Sequence, residues 1–212
     1  MLQIMERGNM DDFFDKQYKS VDLKTNYWCI VGLKTEEDFS LIAKYKLKLL
    51  QDCGFNCSKS LFDVGCGTGL LPSVIYKDMT AKYLGIDIMS SAIDYCKIKY
   101  TKSNFEFRVN QPDLLTNKKE SFDFIVFYSV FTHCYSHESN QLLKQASALL
   151  NNGGKIIADF FVGLSKNKSR EILTITQLEL DTLLKLQSLK HSVISDNIFD
   201  GSIRRVLLEM YK

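Results

Sequence analysis

The chain has 212 residues and a formal net charge of +2, with 45% hydrophobic and 25% charged residues. This composition is typical of a globular protein with one substantial core, so we expect a single domain over residues 1–212. The lysines are dispersed, which disfavours a nucleic-acid partner, and no apolar run is long enough to span a membrane. The polar segment 1–19 lacks a signal-peptide core, so we expect a cytoplasmic protein.

Residues 1–59 precede the first predicted strand, and we expect them to form a helical lead segment. Their aromatic side chains can pack on the sheet as ordinary core or fold over a ligand as a lid. Thr35 is suited to cap a helix. After it, apolar residues recur at the spacing of one helical face, at Phe39, Ile42, Tyr45 and Leu49.

Three lysines alternate with Tyr45 and Leu47 along this predicted helix. We interpret them as its solvated side, with phosphate binding as the less favoured alternative. They are Lys44, Lys46 and Lys48.

The stretch 60–71 carries the most functional information, because an apolar run ending in Asp63 is followed by alternating glycines. Glycine removes side chains from a turn, so that the backbone and the free N–H groups of a following helix can approach a ligand. The spacing is G-x-G-x-G, and Leu70 stands where the dinucleotide fingerprint requires a further glycine. This spacing disfavours a nicotinamide cofactor. The glycines are Gly65, Gly67 and Gly69.

From residue 60 onward, strand-like and helical segments alternate, which predicts a parallel sheet with helices on its faces. The predicted strands are 61–64, 82–88, 105–110, 122–129 and 154–161. The predicted helices are 70–77, 91–100 and 137–150, the last closed by a turn at 151–154.

The last part of the chain has a different pattern. Leucines at helical spacing predict a helix over 176–189, and two more strands are predicted at 191–198 and 203–211. The turn Asp200-Gly201-Ser202 between these strands predicts an antiparallel hairpin.

The predicted second strand ends in Asp87. In a right-handed βαβ unit this strand lies beside the first, so its terminal carboxylate falls close to the glycine turn. There it can accept hydrogen bonds from the two hydroxyls of a ribose. The alternative is a helix cap, but Ser90 and Ser91 already supply capping hydroxyls.

None of the six cysteines forms a C-x-x-C pair, and no histidine completes a zinc site, so we expect no metal. Free thiols in a reducing compartment are favoured over disulfides. Cys66 lies within the glycine turn, but no neighbouring residue supplies a base that would activate it. We interpret it as a small side chain that fills space beside the ligand.

Several of these segments resemble the class I S-adenosylmethionine-dependent methyltransferases. The run Asp-Val-Gly-Cys-Gly-Thr-Gly at 63–69, followed by Gly-Ile-Asp at 85–87, is similar to the family's cofactor motif. Segment 121–126 is similar to its fourth strand and 149–155 to its turn into strand five. The resemblance covers about half the chain, 60–161. It implies a three-layer Rossmann-like α/β fold whose seven-stranded, mostly parallel sheet ends in the antiparallel hairpin.

The resemblance also implies which residues bind S-adenosylmethionine. The glycines would line the methionine part, and Asp63 would help hold its ammonium. Cys66 and Ser129 are also expected among the residues that bind the cofactor. Asp87 would bind the ribose and Ile88 would pack on the adenine. The family often has an acid after strand three, for which this chain offers an amide at Asn110 or Gln111, or Asp113 slightly further along.

The segment that follows strand four is where acceptor chemistry is expected. It contains neither the Asn/Asp-Pro-Pro-aromatic motif of amino-methylating nucleic-acid enzymes nor a Pro-Cys pair. His133 is the best-placed general base, although it can instead cap a helix, and many methyl transfers need alignment alone. Tyr18 and Asp159 are further candidates for contact with the acceptor.

The expected function is therefore methylation of an oxygen, or less favourably a nitrogen, of a small molecule. A protein or RNA acceptor, or a non-catalytic cofactor-binding protein, remains an alternative. We expect a monomer or homodimer.

Overall fold

One sheet organises the protein, whose computed structural model describes residues 20–110, 120–164 and 173–212. Seven strands lie in the order β3-β2-β1-β4-β5-β7-β6. They are β1 (Leu61–Val64), β2 (Tyr83–Asp87), β3 (Phe105–Val109), β4 (Phe122–Phe127), β5 (Leu150–Val162), β6 (Lys190–Asp200) and β7 (Ile203–Tyr211).

The strand directions confirm the predicted α/β architecture. β1 to β5 pair in parallel, whereas β7 pairs antiparallel with both β5 and β6. The strand order reverses between β1 and β4, and such a switch point leaves a crevice at the carboxyl ends of the strands where ligands bind. The predicted hairpin is confirmed, with Gly201 in its turn at φ +52°.

Helices cover both faces of the sheet. Among residues 20–110, 120–164 and 173–212, two short 3-10 helices accompany them, Tyr27–Val31 and Phe131–His133. The α-helices are α1 (Glu36–Asp52), α2 (Pro72–Ile75), α3 (Ser90–Lys99), α4 (Ser136–Ala148) and α5 (Gln177–Leu186). In the described part of the chain, no helix has both the length and the apolar character needed to cross a bilayer.

Alternation along the strands divides the core into two apolar layers. One layer joins the sheet to α4 and α5 and includes Ile125, Ile156 and Leu208. The other joins it to the end of α1, to α2 and to α3, and includes Val126, Ile157 and Leu207. We call the second side the α1 face.

Three local expectations were wrong. The helix predicted at 70–77 is only the four-residue α2, although turns extend it on either side. The segment 151–154 belongs to β5 rather than to a separate turn, and the pairing of β4 with β5 is irregular there. Gly153 has φ +74° at this irregularity, a backbone conformation that suits glycine.

The third difference is the rotation of α1. Thr35 caps the helix as predicted, accepting a hydrogen bond of 3.0 Å from Asp38 N. Tyr45, however, is exposed, while the buried positions are Phe39, Ala43 and Leu50. A stripe through 39, 43 and 50 also contains position 46, so α1 turns a lysine toward the sheet.

Candidate functional site

The glycine turn leaves β1 at the carboxyl edge of the sheet in a left-handed conformation. Gly65, Gly67 and Gly69 have φ of +75°, +53° and +84°. Side chains pack directly on the turn: a methyl group added at Gly67 would lie 2.6 Å from Val31 Cγ1, and one at Gly65 would lie 2.6 Å from Val130 Cγ2. Both backbone angle and space therefore require glycine here.

Asp87, at the end of β2, lies directly against this turn. Its Oδ2 accepts a hydrogen bond of 2.8 Å from Gly67 N, and its Oδ1 accepts one of 2.9 Å from Met89 N. Burial raises the pKa of this carboxyl above its usual value, and the backbone donors oppose that rise. Beside it, Ile88 exposes 38% of its surface, and Asn110 N donates to the Asp87 carbonyl at 2.7 Å. The structure thus brings these three predicted residues together.

Asp63 lies on β1, one strand away, and is only 4% exposed. Its Oδ2 accepts a hydrogen bond of 2.8 Å from the Tyr83 hydroxyl. Burial raises the pKa of Asp63 to about 6, while the Tyr83 hydrogen bond and the charge of Lys46 act in the opposite direction. The site therefore holds a buried carboxylate that a cationic ligand group would stabilise.

The ends of β4, β5 and β7 form a second polar cluster. Ser129 has the unusual φ of +61°, and its N–H donates to Asp159 Oδ1 at 2.6 Å. Asp159 is 1% exposed and also accepts from the Arg205 guanidinium, through Nε at 2.7 Å and through Nη2. Arg205 Nη2 additionally donates to Ser129 Oγ at 3.0 Å. These bonds hold the turn after β4 against the two following strands of the sheet.

Lys46 joins the two parts of the site, and its interpretation as a solvated lysine was wrong. Lys44 and Lys48 are exposed, but Lys46 is half-buried, with its Nζ 4.7 Å from the centre of the Tyr128 ring. Burial lowers the pKa of Lys46 to about 8; Asp159 and Asp63 raise it, and Arg205 lowers it further.

Two predicted residues, Tyr18 and Gln111, lie outside the described residues, as does Asp113. His133 ends the 3-10 helix that follows the turn at Ser129 and is half-buried there. Within the described ranges, no group of His, Cys, Asp and Glu side chains could hold a metal ion.

Comparison with known proteins identifies a protein family that this chain resembles. Residues 62–158 match the family described as "Methyltransferase domain". The chain is 28% identical over 163 residues to the ubiquinone biosynthesis O-methyltransferase of Coxiella burnetii, a match that covers 76% of this chain and 66% of that protein. These matches support a place for the chain among the class I S-adenosylmethionine-dependent methyltransferases.

Solved structures agree with this assignment at the level of the fold. Magnesium protoporphyrin IX methyltransferase from Synechocystis, with bound S-adenosylhomocysteine, superimposes with a TM-score of 0.68 at 13% identity, over 96% of this chain and 100% of that one. A protein of Pyrococcus horikoshii superimposes with a TM-score of 0.64 at 18% identity, over 93% of this chain and 99% of that one. Members of the family use S-adenosylmethionine as methyl donor.

Within this methyltransferase fold, Cys66 has the environment of a space-filling residue. It is 3% exposed, and burial together with a hydrogen bond to Cys96 raises its thiol pKa well above the usual value. A thiol that stays protonated is a poor nucleophile.

The sequence alone did not identify Tyr83, Lys46 and Arg205 as residues of the site. The spacing of Phe39, Ala43 and Leu50 could have placed Lys46 on the buried side of α1. Tyr83 and Arg205 become recognisable only when strand pairing is known, because both meet their partners across the sheet.

Proposed function

We propose that the protein transfers the methyl group of S-adenosylmethionine to an oxygen, or less favourably a nitrogen, of a small-molecule acceptor. The observation that carries this proposal is the placement of two carboxylates, Asp63 and Asp87, on adjacent strands beside the glycine turn. Both lie at the edge of the sheet where ligands bind in such folds.

The residues of the site suit the parts of this cofactor. Asp63 would pair with its ammonium, because that pairing relieves the cost of a buried carboxylate. The Asp87 carboxylate would bind the ribose hydroxyls. The exposed side of Ile88 would cover the adenine, and Asn110 or Gln111 would contact the adenine amine. The glycine turn with Cys66, and Ser129, would border the methionine part.

When bound, S-adenosylmethionine would supply an electrophilic methyl group for the acceptor oxygen, and the electron pair of the carbon–sulfur bond would remain on sulfur. The protein aligns the acceptor and excludes water. His133 is our candidate for the base that takes the hydroxyl proton, since it follows the turn at Ser129. A His133→Asn variant should lower kcat more than KM and remove a limb of the pH profile. Unchanged kcat would assign catalysis to alignment alone.

The Coxiella relative is an O-methyltransferase of ubiquinone biosynthesis, which supports a small acceptor and methylation at oxygen. The rivals are a protein or RNA acceptor and a non-catalytic protein of this fold. An RNA acceptor predicts binding that weakens steeply with added salt. A non-catalytic protein predicts cofactor binding without turnover on any acceptor.

Calorimetry on the purified protein tests the proposal most directly. S-adenosylmethionine and S-adenosylhomocysteine should bind, and NAD should not. Tighter binding of NAD would overturn the assignment. Release of S-adenosylhomocysteine in the presence of hydroxylated small molecules would then establish turnover.

We further infer that the protein acts in the cytoplasm as a monomer or homodimer. Its six cysteines are free thiols, which is typical of a reducing compartment. Light scattering on the purified protein would determine the oligomeric state, and an assembly larger than a dimer would contradict the inference.

A further inference from the structure

Two cationic side chains, Lys46 and Arg205, lie on the α1 face beyond the glycine turn. The strand register shows which other residues share this face. Val126 of β4 pairs with Asp63 of β1 and with Ile157 of β5. Because side chains alternate along a strand, Tyr128 and Asp159, two residues further along, share the face of Asp63.

The same alternation places Arg205 on this face. Leu207 of β7 pairs with Asp159, and Arg205 lies two residues from Leu207. Its neighbour Arg204 points to the opposite face, where it bonds Gln177 of α5 at 2.8 Å. Arg205 therefore extends toward the side that carries Lys46.

Arg205 is held in a fixed orientation. Asp159 and Ser129 engage its Nε and Nη2, whereas its Nη1 makes no hydrogen bond to any other residue that the structure describes. The Arg205 side chain is nevertheless 38% exposed. A planar guanidinium anchored by two nitrogens presents its third nitrogen with little loss of entropy when a ligand binds.

Lys46 supplies the second cation. Its Nζ lies over the ring of Tyr128, whose hydroxyl donates to the Lys46 carbonyl at 3.3 Å. Asp159 already neutralises Arg205, and Asp63 would neutralise the ammonium of a bound cofactor. In the loaded protein, Lys46 would then remain as a half-buried cation facing the acceptor side without a dedicated counter-ion.

An apolar surface adjoins these charges. The Arg205 guanidinium lies 5.9 Å from the centre of the Phe161 ring, and the rings of Phe161 and Phe199 are 4.3 Å apart. Phe199 is 49% exposed, so a planar apolar group can pack on it.

We propose that the acceptor is a small organic acid whose carboxylate is bound by Lys46 and Arg205, with its apolar part against Phe199. This inference rests on the proposed methyltransferase function and adds the chemical class of the acceptor. An uncompensated lysine beside an anchored guanidinium, whose free nitrogen can still donate a hydrogen bond, favours an anion over a neutral or cationic molecule of the same shape. Asp159 is then a positioning residue, which acts on the acceptor through Arg205.

The test is calorimetry on protein saturated with S-adenosylhomocysteine, using two acids and their neutral amides as probes. These are salicylate with salicylamide and cinnamate with cinnamamide. At least one acid should bind about tenfold more tightly than its amide. Lys46→Gln should reduce this preference to about twofold, measured with S-adenosylhomocysteine at a concentration that saturates the variant. Lys48→Gln, an exposed lysine two positions along α1, is the matched control and should keep the preference.

The inference is overturned if each acid binds no more tightly than its amide, or if none of the four probes binds. It is also overturned if Lys46→Gln weakens S-adenosylhomocysteine and leaves the preference intact, because Lys46 would then serve the cofactor carboxylate. If the wild-type protein fails to bind S-adenosylhomocysteine, the proposed function fails first and this inference with it. Arg205→Lys keeps a cation opposite Asp159 and should reduce the preference without unfolding the protein.

Discussion

Tyr83 donates a hydrogen bond of 2.8 Å to the buried carboxylate of Asp63 across the pairing of β1 and β2. The ring reaches Asp63 because Gly85, which pairs with Asp63, has no side chain in the way. A methyl group at Gly85 would lie 3.0 Å from Tyr83 Cε1. Gly85, in the Gly-Ile-Asp run at 85–87, thus leaves room for the Tyr83 ring beside the Asp63 carboxylate.

The Tyr83→Phe substitution should change how cofactor binding depends on pH. The pKa of Asp63 is raised to about 6, so wild-type affinity for S-adenosylhomocysteine should fall as the pH drops below that value. Without the phenol, the charged form loses a hydrogen bond and the pKa rises by about one further unit. Calorimetry across pH should show the loss beginning at higher pH in the variant. Tyr76→Phe, whose hydroxyl meets Thr101, should behave as wild type.

Asp63 should also make the stability of the protein depend on pH. Its pKa is raised on folding, so the native state binds the proton more tightly than the unfolded chain. The stability that Asp63 contributes is present below its unfolded pKa and is lost as pH rises through about 6. Relative to Asp63→Asn, the wild-type free energy of unfolding should fall by about 2 kcal/mol between about pH 4 and about pH 7. Parallel urea titrations of the two proteins measure this difference in unfolding free energy, and a difference that does not change with pH would contradict the prediction.

Asp87→Ala should weaken S-adenosylhomocysteine binding by about 1.5–3 kcal/mol, because a charged hydrogen-bond acceptor is removed from the ribose. Loss of its bonds to Gly67 and Met89 should also lower the melting temperature. Asp94→Ala on the exposed side of α3 is the control and should change neither quantity. Unchanged affinity in the first variant would remove Asp87 from the site.

Gly67→Ala and Gly153→Ala separate backbone strain from steric overlap. Both glycines have positive φ, but an added methyl group meets Val31 at 2.6 Å in the first case and nothing within 4 Å in the second. Gly153→Ala should cost about 1–2 kcal/mol from the left-handed backbone alone. Gly67→Ala should cost about 1–3 kcal/mol more, from overpacking. The double variant with Val31→Ala should recover part of that excess; no recovery would show that Val31 does not cover the turn.

Cys66 should resist alkylation in the native protein. It is buried, and its thiol pKa is raised well above the ordinary value, so little thiolate is present at neutral pH. Mass spectrometry after brief iodoacetamide treatment should find Cys66 unmodified while the half-buried Cys29 reacts. Rapid modification of Cys66 would indicate that its thiol can act as a nucleophile.

Local sequence patterns predicted the strands well, because most of them bury a short apolar run between turn residues; β6, which buries none of its residues, was found from the turn before β7. β1 and β7 have the predicted bounds, and β2 differs by one residue at each end. Prediction was weaker where the pattern was ambiguous. Thr35 marked the start of α1, but several rotations of that helix satisfy its mixed apolar and lysine positions. Packing against the sheet selects the one that buries Lys46.

The sequence by itself determined the donor side of this protein. The glycine turn at 65–69 and the carboxylates Asp63 and Asp87 lie on one βαβ unit, where short-range geometry forces them together. Only the tertiary structure decided the acceptor side. Ser129, Asp159 and Arg205 come from three strands, and Lys46 comes from a helix before the sheet. Their meeting depends on strand order and register, which no local pattern encodes, and it brings three charged residues together as the acceptor surface that we propose.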